Sequence, residues 1–272
     1  MSEIFGFDAY SPKEIAERVE TIGVAKARLP LMSQMTLGVL AGGFIGLGAL
    51  YFTLVTSDAN LSFAVSRLLG GLTFSLGLIL VVVAGAELFT GNNLLVMAWA
   101  SHRITTGELI RNWVIVYLAN LVGAFGLVLL VLWSQHWHTN SESVGINAVK
   151  IAAAKATLPF WEAFYKGILC NILVCLAVWL ALAGRSVVDK VVAIIFPISA
   201  FVAAGFEHSV ANMYFIPLGI LLKDRLRFTG AEDLSWFSLW SNLLPVTVGN
   251  VVGGSLMVAL VYFFIYRRGG RE

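Results

Sequence analysis

Two short polar segments with matching residues interrupt long apolar stretches of this chain. Residues 85–92 read Gly-Ala-Glu-Leu-Phe-Thr-Gly-Asn, and residues 205–212 read Gly-Phe-Glu-His-Ser-Val-Ala-Asn. The glycine, the glutamate and the final asparagine therefore recur 120 positions apart. A carboxylate and an amide inside a membrane segment are costly unless they support broken backbone or line a wet path. Paired interruptions in corresponding halves of a chain are typical of a transport site near the bilayer midplane, which indicates a pore or a carrier.

An embedded histidine gives the second segment a chemistry of its own. His208 is the only histidine inside an apolar stretch, because His102, His136 and His138 fall in loops or at the ends of such stretches. We predict that His208 is functional, either as a hydrogen-bond donor to an anion or as a carrier of protons. The repeat puts Thr90 of the first segment opposite His208, where its hydroxyl can orient the ring.

The acidic and amide side chains of the two segments have a structural interpretation and a functional one. An interrupted helix frees carbonyl and N–H groups that lipid cannot satisfy. Glu87, Glu207, Asn92 and Asn212 are suited to bond these groups, and substrate contact by the glutamates is the alternative. The half-helices that restart after each break would present N-terminal N–H groups to the midplane, an arrangement that favours anions.

The composition indicates a membrane protein. Of the 272 residues, 58% are hydrophobic and 12% are charged, which is too apolar for a soluble globular domain. Crossing a bilayer takes about 20 residues, and six apolar runs reach that length. The predicted spans are 32–56, 65–101 (interrupted), 111–133, 161–184, 189–222 (interrupted) and 242–266. The net charge of +2 is scattered along the chain and does not indicate binding to nucleic acid.

The spans form two halves of three, and the likeness between the halves extends beyond the polar segments. Asn112 and Asn120 in the third span correspond to Asn242 and Asn250 in the sixth. Because three is an odd number, the second half must enter the membrane upside down, which makes an inverted repeat. The predicted all-α channel domain covers 32–266, with repeat one at 32–133 and repeat two at 161–266.

Both ends of the chain are predicted to be cytoplasmic. Eleven Lys and Arg residues lie on the side of the N-terminus and seven on the opposite side, and the more basic side faces the cytoplasm. Ser11-Pro12-Lys13-Glu14 combines an N-cap, a proline at the first helical position and a capping-box glutamate. We therefore predict a cytoplasmic amphipathic helix within 1–31, either lying under the lipid bilayer or packing on the transmembrane core, and a cytoplasmic tail at 267–272.

Glycines on two spans are spaced for close packing of helices. Gly38, Gly42 and Gly46 recur every four residues on the first span, and Gly249 and Gly253 do so on the sixth. This spacing lets the backbones of neighbouring membrane helices approach one another.

Several apolar side chains are placed to set the width of a path beside the histidine. Phe74 and Leu78 lie one helical turn apart on the second span and share a face. Phe201 and Val174, on the fifth and fourth spans, could complete apolar constrictions above and below the histidine, and simple core packing is the alternative. Lys155 is predicted to lie in an external loop, where it could draw anions toward the mouth.

The motifs identified so far resemble those of the formate/nitrite transporter family, over residues 11–266. The motifs are Leu69-Gly70-Gly71, Ser75-Leu76-Gly77-Leu78, residues 85–90, residues 205–213 and residues 242–250. Residues 171–179, Asn-Ile-Leu-Val-Cys-Leu-Ala-Val-Trp, look like the formate-channel branch in particular. The resemblance implies an aquaporin-like protomer with six spans, assembled as a homopentamer with one substrate path through each protomer. It also implies transport of formate, as the anion or its acid, with pH-dependent gating, across the inner membrane of a bacterium.

The same resemblance implies roles for individual residues. It puts His208 at the centre of the path, Thr90 on a mobile loop and Asn250 near the histidine. It also makes Phe74 and Phe201 the outward constriction. Two further residues complete the implied set: Leu78 in the inward constriction and Lys155 in the outer vestibule.

Other functions remain open at this stage. Nitrite, hydrosulfide or lactate could be transported on the same scaffold. A water or glycerol channel would have a similar topology, but the chain lacks the Asn-Pro-Ala pairs of such channels.

An intramembrane enzyme is a further alternative, which the residues disfavour. Zinc hydrolysis needs several ligands, as in His-Glu-x-x-His, whereas this chain has one embedded histidine. Cys170 and Cys175 lie five positions apart on one span and do not share a face, so a disulfide or a metal pair is not expected. We expect no cofactor.

Overall fold

The computed structural model describes residues 9–267, which are almost entirely helical. The α-helices are α1 (Pro12–Ala27), α2 (Leu31–Val55), α3 (Phe63–Ile79), α4 (Val96–Ala100), α5 (Thr106–Trp133), α6 (Ser143–Ala156), α7 (Phe160–Ala183), α8 (Val187–Ala204), α9 (Ser209–Lys223), α10 (Trp236–Val251) and α11 (Val261–Tyr266). Shorter helical turns are π-helical at Leu80–Gly85 and Val252–Leu260 and 3-10 at Gly91–Leu95 and His136–His138. Residues 1–8 of the predicted N-terminal segment and, except for Arg267, the predicted tail at 267–272 lie outside the described residues.

Within the described chain, six helices are long and apolar enough to cross a membrane. They are Leu31–Val55, Phe63–Gly85, Thr106–Trp133, Phe160–Ala183, Val187–Ala204 and Trp236–Tyr266. Each overlaps one predicted span, and the predicted fold class of six helices with a broken second and fifth is confirmed. The third and sixth helices begin five or six residues earlier than predicted, because capping boxes at Thr105 and Ser235 start them in a more polar sequence.

The order and packing of the helices repeat in the two halves. In the first half α2 packs on α3 and α5, and in the second half α7 packs on α8 and α10. The two broken spans meet in the middle, where α3 packs on α8. The breaks therefore lie in corresponding positions of the two repeats.

Each half also contains a short helix in front of its first span. The structure places α1 before α2 and α6 before α7. The predicted loop around Lys155 was wrong, because this residue lies in the last turn of α6. Val144, Ala148, Val149 and Ala152 form a buried face on this helix. At 14 residues, α6 is too short to register as a span in the sequence.

The start of α1 is built as its sequence predicts. The Ser11 side chain accepts a hydrogen bond from the Glu14 N–H at 3.4 Å, and the Glu14 carboxylate accepts one from the Ser11 N–H at 2.7 Å. Hydrogen bonds from the Ser11 hydroxyl and N–H hold the pKa of Glu14 below its usual range. The helix buries Ile15 and Val19 and packs against α4.

Glycine is required where the helices of each half approach most closely. A Cβ at Gly42 on α2 would lie 2.0 Å from the Asn120 carbonyl oxygen on α5. In the second half, a Cβ at Gly249 on α10 would lie 2.3 Å from the Phe164 carbonyl oxygen on α7. The predicted close packing by small residues is therefore confirmed.

Adding a methyl group at each of two adjacent glycines in turn should separate the effect of helix packing on stability from the effect of helix propensity. We expect Gly42→Ala to destabilise the protein by about 1–3 kcal/mol or more, because backbone atoms cannot move aside as a flexible side chain does. Gly43→Ala is the matched control, since the nearest heavy atom to its Cβ outside the local helix backbone would be 4.0 Å away. Thermal unfolding in detergent measures both, and equal melting temperatures for the two variants would contradict the close approach.

Candidate functional site

Both broken spans begin their interruption at a glycine with a left-handed backbone. Gly85 has a φ of 84° and Gly205 a φ of 74°. Other residues rarely adopt this conformation without strain, so the two glycines turn the chain out of its helix at low cost. The chain becomes helical again at Gly91 after the first break and at Ser209 after the second.

The side chain of Asn120 bonds the freed backbone of the first break. Its Nδ2 donates to the carbonyl oxygens of Gly38, at 2.8 Å, and Glu87, at 2.9 Å. Its Oδ1 accepts a hydrogen bond from the Phe89 N–H at 2.9 Å. One buried amide thus bonds one acceptor and one donor of the break, which lipid would leave unpaired, and connects them to α2 through the Gly38 carbonyl.

Asn250 forms the same three hydrogen bonds at the second break. Its Nδ2 donates to the carbonyl oxygens of Gly167, at 2.8 Å, and Glu207, at 3.0 Å. Its Oδ1 accepts from the Ser209 N–H at 2.9 Å, next to His208 in the chain. The resemblance puts Asn250 in the substrate path, whereas the structure uses its whole side chain to hold backbone.

The Glu87 carboxylate binds side chains and not the freed backbone groups, which were its predicted partners. Its Oε2 accepts from Asn92 Nδ2 at 2.7 Å, and its Oε1 lies 2.9 Å from Lys26 Nζ. Asn92 Nδ2 also donates to Asn112 Oδ1 at 3.0 Å. The Asn112 Nδ2 in turn donates to the Lys26 carbonyl oxygen at 3.1 Å. These hydrogen bonds and the ion pair form a ring of contacts that joins α1, through Lys26, to the first break.

An equivalent cluster joins α6 to the second break. Glu207 accepts from Asn212 Nδ2 at 2.7 Å and from Lys155 Nζ at 2.7 Å. Asn212 Nδ2 also donates to Asn242 Oδ1, and Asn242 Nδ2 donates to the Lys155 carbonyl oxygen at 2.8 Å. Both buried carboxylates are paired, as buried charges must be.

Lys26 was not predicted as a member of these clusters. Lys26 stands 129 positions before Lys155, close to the offset that relates the two halves. This spacing, with one basic residue in front of each repeat, is the sequence pattern that identifies Lys26 as the counterpart of Lys155. The clusters differ in one respect: Lys26 Nζ also donates to Asn92 Oδ1 at 3.0 Å, whereas Asn212 Oδ1 has no partner in the described chain.

His208 both starts α9 and contacts the opposite break. Its Nδ1 accepts a hydrogen bond from the Ala211 N–H at 3.0 Å, so the side chain caps the helix. Its Nε2 lies 2.9 Å from Thr90 Oγ1. Because Nδ1 acts as an acceptor, a neutral ring carries its proton on Nε2 and donates it to the threonine hydroxyl. The predicted contact between Thr90 and His208 is therefore present.

A basic cavity of about 400 Å³ reaches His208 from the side of α6. We call it the outer cavity, after the predicted orientation. Arg67, Lys150, Lys155 and Lys166 line it together with a single carboxylate, Glu207. The lining therefore favours anions.

A second cavity, of about 460 Å³, lies on the side of α1, and we call it the inner cavity. Its lining is mainly aliphatic, with Lys26 and Glu87 as the charged residues. Since these two side chains are paired with each other, the inner cavity is close to neutral.

An apolar crossing separates the two cavities. Phe74 and Phe201 line the outer cavity, with ring centroids 5.7 Å apart, and the Phe201 ring lies 6.0 Å from that of His208. Leu78, one turn from Phe74, lines the inner cavity. Val174 is buried but lines neither cavity, so the structure does not bring it to the path.

Within residues 9–267, no group of three or more His, Cys, Asp or Glu side chains is arranged to hold a metal ion. The Cys170 and Cys175 thiols are both buried and free.

Comparisons with known proteins agree with this architecture. The family model described as formate/nitrite transporter matches residues 13–264. The formate channel FocA of Escherichia coli (strain K12) is 42% identical over 274 residues, covering 96% of each chain. A solved pentameric formate channel with formate bound superposes with a TM-score of 0.80 at 40% identity, over 87% of this chain and 97% of that one. The aquaglyceroporin from Plasmodium falciparum has a TM-score of 0.50 at 17% identity, over 86% of this chain and 98% of that one. This last likeness concerns the fold alone, and it bears out the predicted aquaporin-like architecture.

Replacing the amide that holds a break by a carboxylate should lower the stability of the protein. Asn250→Asp keeps the side chain's shape but turns two buried donor contacts into contacts between oxygens, and the unpaired Glu207 carbonyl alone is expected to cost about 1–3 kcal/mol. Asn140→Asp, at an exposed loop position, is the control. Thermal unfolding in detergent measures the difference, and a melting temperature unchanged by Asn250→Asp would refute the role of this amide.

Proposed function

Because the chain belongs to the formate/nitrite transporter family, we propose that it transports formate through a pathway in each protomer. The observation that carries this proposal is the basic outer cavity ending at His208, whose Nε2 side faces away from its capped helix. The names of its relatives support formate as the substrate, since one is a formate channel and another was solved with formate bound.

Entry from the outer cavity uses charge and then a specific donor. The four basic side chains that line this cavity raise the local concentration of anions, although salt screens the effect beyond about 8–10 Å. At the floor of the cavity, the formate carboxylate replaces Thr90 as the acceptor of the His208 Nε2–H. Lys155 lines the same cavity, where the Glu207 carboxylate offsets its charge.

The crossing between the cavities is proposed to carry formic acid, the neutral form. Phe74, Phe201 and Leu78 have no polar side-chain atoms to replace the hydration of a carboxylate. Moving an unpaired ion into such surroundings costs several kcal/mol. Formate therefore takes one proton from the water of the outer cavity, crosses, and releases the proton into the inner cavity.

His208 is also proposed to make the pathway sensitive to pH. A protonated ring carries hydrogens on both nitrogens, so Nδ1 can no longer accept from the Ala211 N–H. Protonation therefore removes the cap of α9 and disturbs the second break. The charged groups that line the outer cavity next to the ring are Lys155 and its partner Glu207, which offset one another.

Assembly and location follow from the same reasoning. The similarity to a solved pentameric channel supports a homopentamer, with a complete pathway in every protomer. The excess of Lys and Arg on the side of the N-terminus supports cytoplasmic ends. We place the protein in the inner membrane of a bacterium, with α1 on the cytoplasmic face.

Transport in proteoliposomes tests the substrate and the charge of the crossing species. We expect formate uptake well above that of protein-free vesicles, and an unchanged initial rate when a membrane potential is imposed, because a neutral acid carries no charge. A rate that follows the potential would show that the anion crosses. Stronger inhibition of labelled formate uptake by nitrite than by the same concentration of unlabelled formate would favour nitrite as the substrate.

A single substitution isolates the effect of His208 protonation. His208→Asn keeps an acceptor for the Ala211 N–H, since asparagine is a good N-cap, and keeps a donor, but it does not titrate. We expect uptake to persist and the pH-dependent gating to be lost. Formate's own protonation affects every variant equally, so the ratio of variant to wild-type uptake, followed from neutral pH down to the lowest pH at which the vesicles stay intact, reports the ring alone.

His102→Asn, in a loop outside the cavities, serves as the control for that ratio. A ratio that stays constant with pH for both variants would contradict a role of His208 in gating.

A further inference from the structure

Two basic side chains of the outer cavity have no carboxylate partner in the part of the chain that the structure describes. They are Arg67, from α3, and Lys150, from α6. The other two are paired: Lys155 lies 2.7 Å from Glu207, and Lys166 lies 2.7 Å from a glutamate on its own helix. The positive charge available to a bound anion is therefore concentrated on Arg67 and Lys150.

Arg67 is held over the second break. Its Nη1 atom lies 3.8 Å from the position that a Cβ of Gly205 would occupy, and its Cζ lies 5.3 Å from the centre of the Phe63 ring. The guanidinium keeps its forked N–H donors free, a geometry that matches two oxygens of one anion. Lys150 is exposed on α6, five residues before Lys155, and supplies a second, more flexible cation to the same cavity.

We propose that Arg67 and Lys150 form a binding site for a divalent oxyanion of the size of sulfate. Two unpaired cations match the charge of such an ion, and the guanidinium fork matches the spacing of its oxygens. The cavity of about 400 Å³ has room for the ion with part of its water. The site lies at the mouth, above the position where His208 meets formate.

A divalent ion bound there blocks the pathway and is not transported. One added proton does not neutralise it, so the ion stays charged in front of the apolar rings of Phe74 and Phe201. The block acts from one side, because the inner cavity holds one lysine and one glutamate, paired at 2.9 Å. This second part rests on the proposed function, whereas the binding site does not.

Direct binding of labelled sulfate to the purified protein tests the site without transport. Sodium chloride keeps the ionic strength constant, since screening alone alters weak anion binding. We expect saturable binding to the wild type and an affinity lowered about tenfold or more by Arg67→Gln with Lys150→Gln, the loss of two charged hydrogen-bond donors. The control is Arg225→Gln with Arg227→Gln, which removes two exposed positive charges outside the cavity and should bind sulfate as the wild type does.

Melting temperatures check that both double variants are folded. Lys150→Gln alone, at an exposed position, serves if the double variant is unstable, and it should still weaken binding. No saturable binding to the wild type, or an equal loss in both double variants, would overturn the site.

Uptake measurements in uniformly oriented vesicles test the block. Sulfate at the outer face should inhibit formate uptake, and the same concentration at the inner face should not. Equal inhibition from both faces, or accumulation of sulfate in the vesicles, would overturn the block. If sulfate-free vesicles take up no formate while the purified protein still binds sulfate, the proposed function fails and the site stands.

Discussion

Every backbone N–H and C=O group that leaves a helix inside a membrane has to be bonded by another part of the protein. Asn120 and Asn250 do this for the two breaks, with two hydrogen bonds each to the break and a third to the neighbouring helix α2 or α7. They stand on α5 and α10, so the breaks keep their shape only while these spans stay against α2 and α7. The close contacts at Gly42 and Gly249 are therefore a condition for the site as well as for the fold.

The buried carboxylates tie the breaks to the surface helices. Lys26 belongs to α1 and Lys155 to α6, and each pairs with a glutamate inside a break. Two residues of α1, Val19 and Lys26, also line the inner cavity. The ion pairs thus connect the position of each short helix to the break beneath it, although their immediate effect is to neutralise a buried charge.

The pathway departs from the symmetry of the repeat where its chemistry lies. Leu88 occupies the position in the first break that His208 occupies in the second, and Val210 corresponds to Thr90. One titratable ring and one hydroxyl therefore meet across two breaks that otherwise share their hydrogen bonds. The imidazole caps α9 with one nitrogen and leaves the other for the path, which couples helix stability to the state of the ring.

The sequence by itself determined the membrane class, the six spans, their inverted repeat and both breaks, because apolar length and costly polar residues are local properties of the chain. It also identified Thr90 and His208 as partners, since their positions follow from the repeat. Tertiary structure alone decided which side chain bonds which group. Asn120 and Asn250 hydrogen-bond the freed backbone, and the two glutamates pair with lysines from α1 and α6. Those partners lie tens of residues away along the chain, and only the packing of separate helices brings their atoms within hydrogen-bond distance.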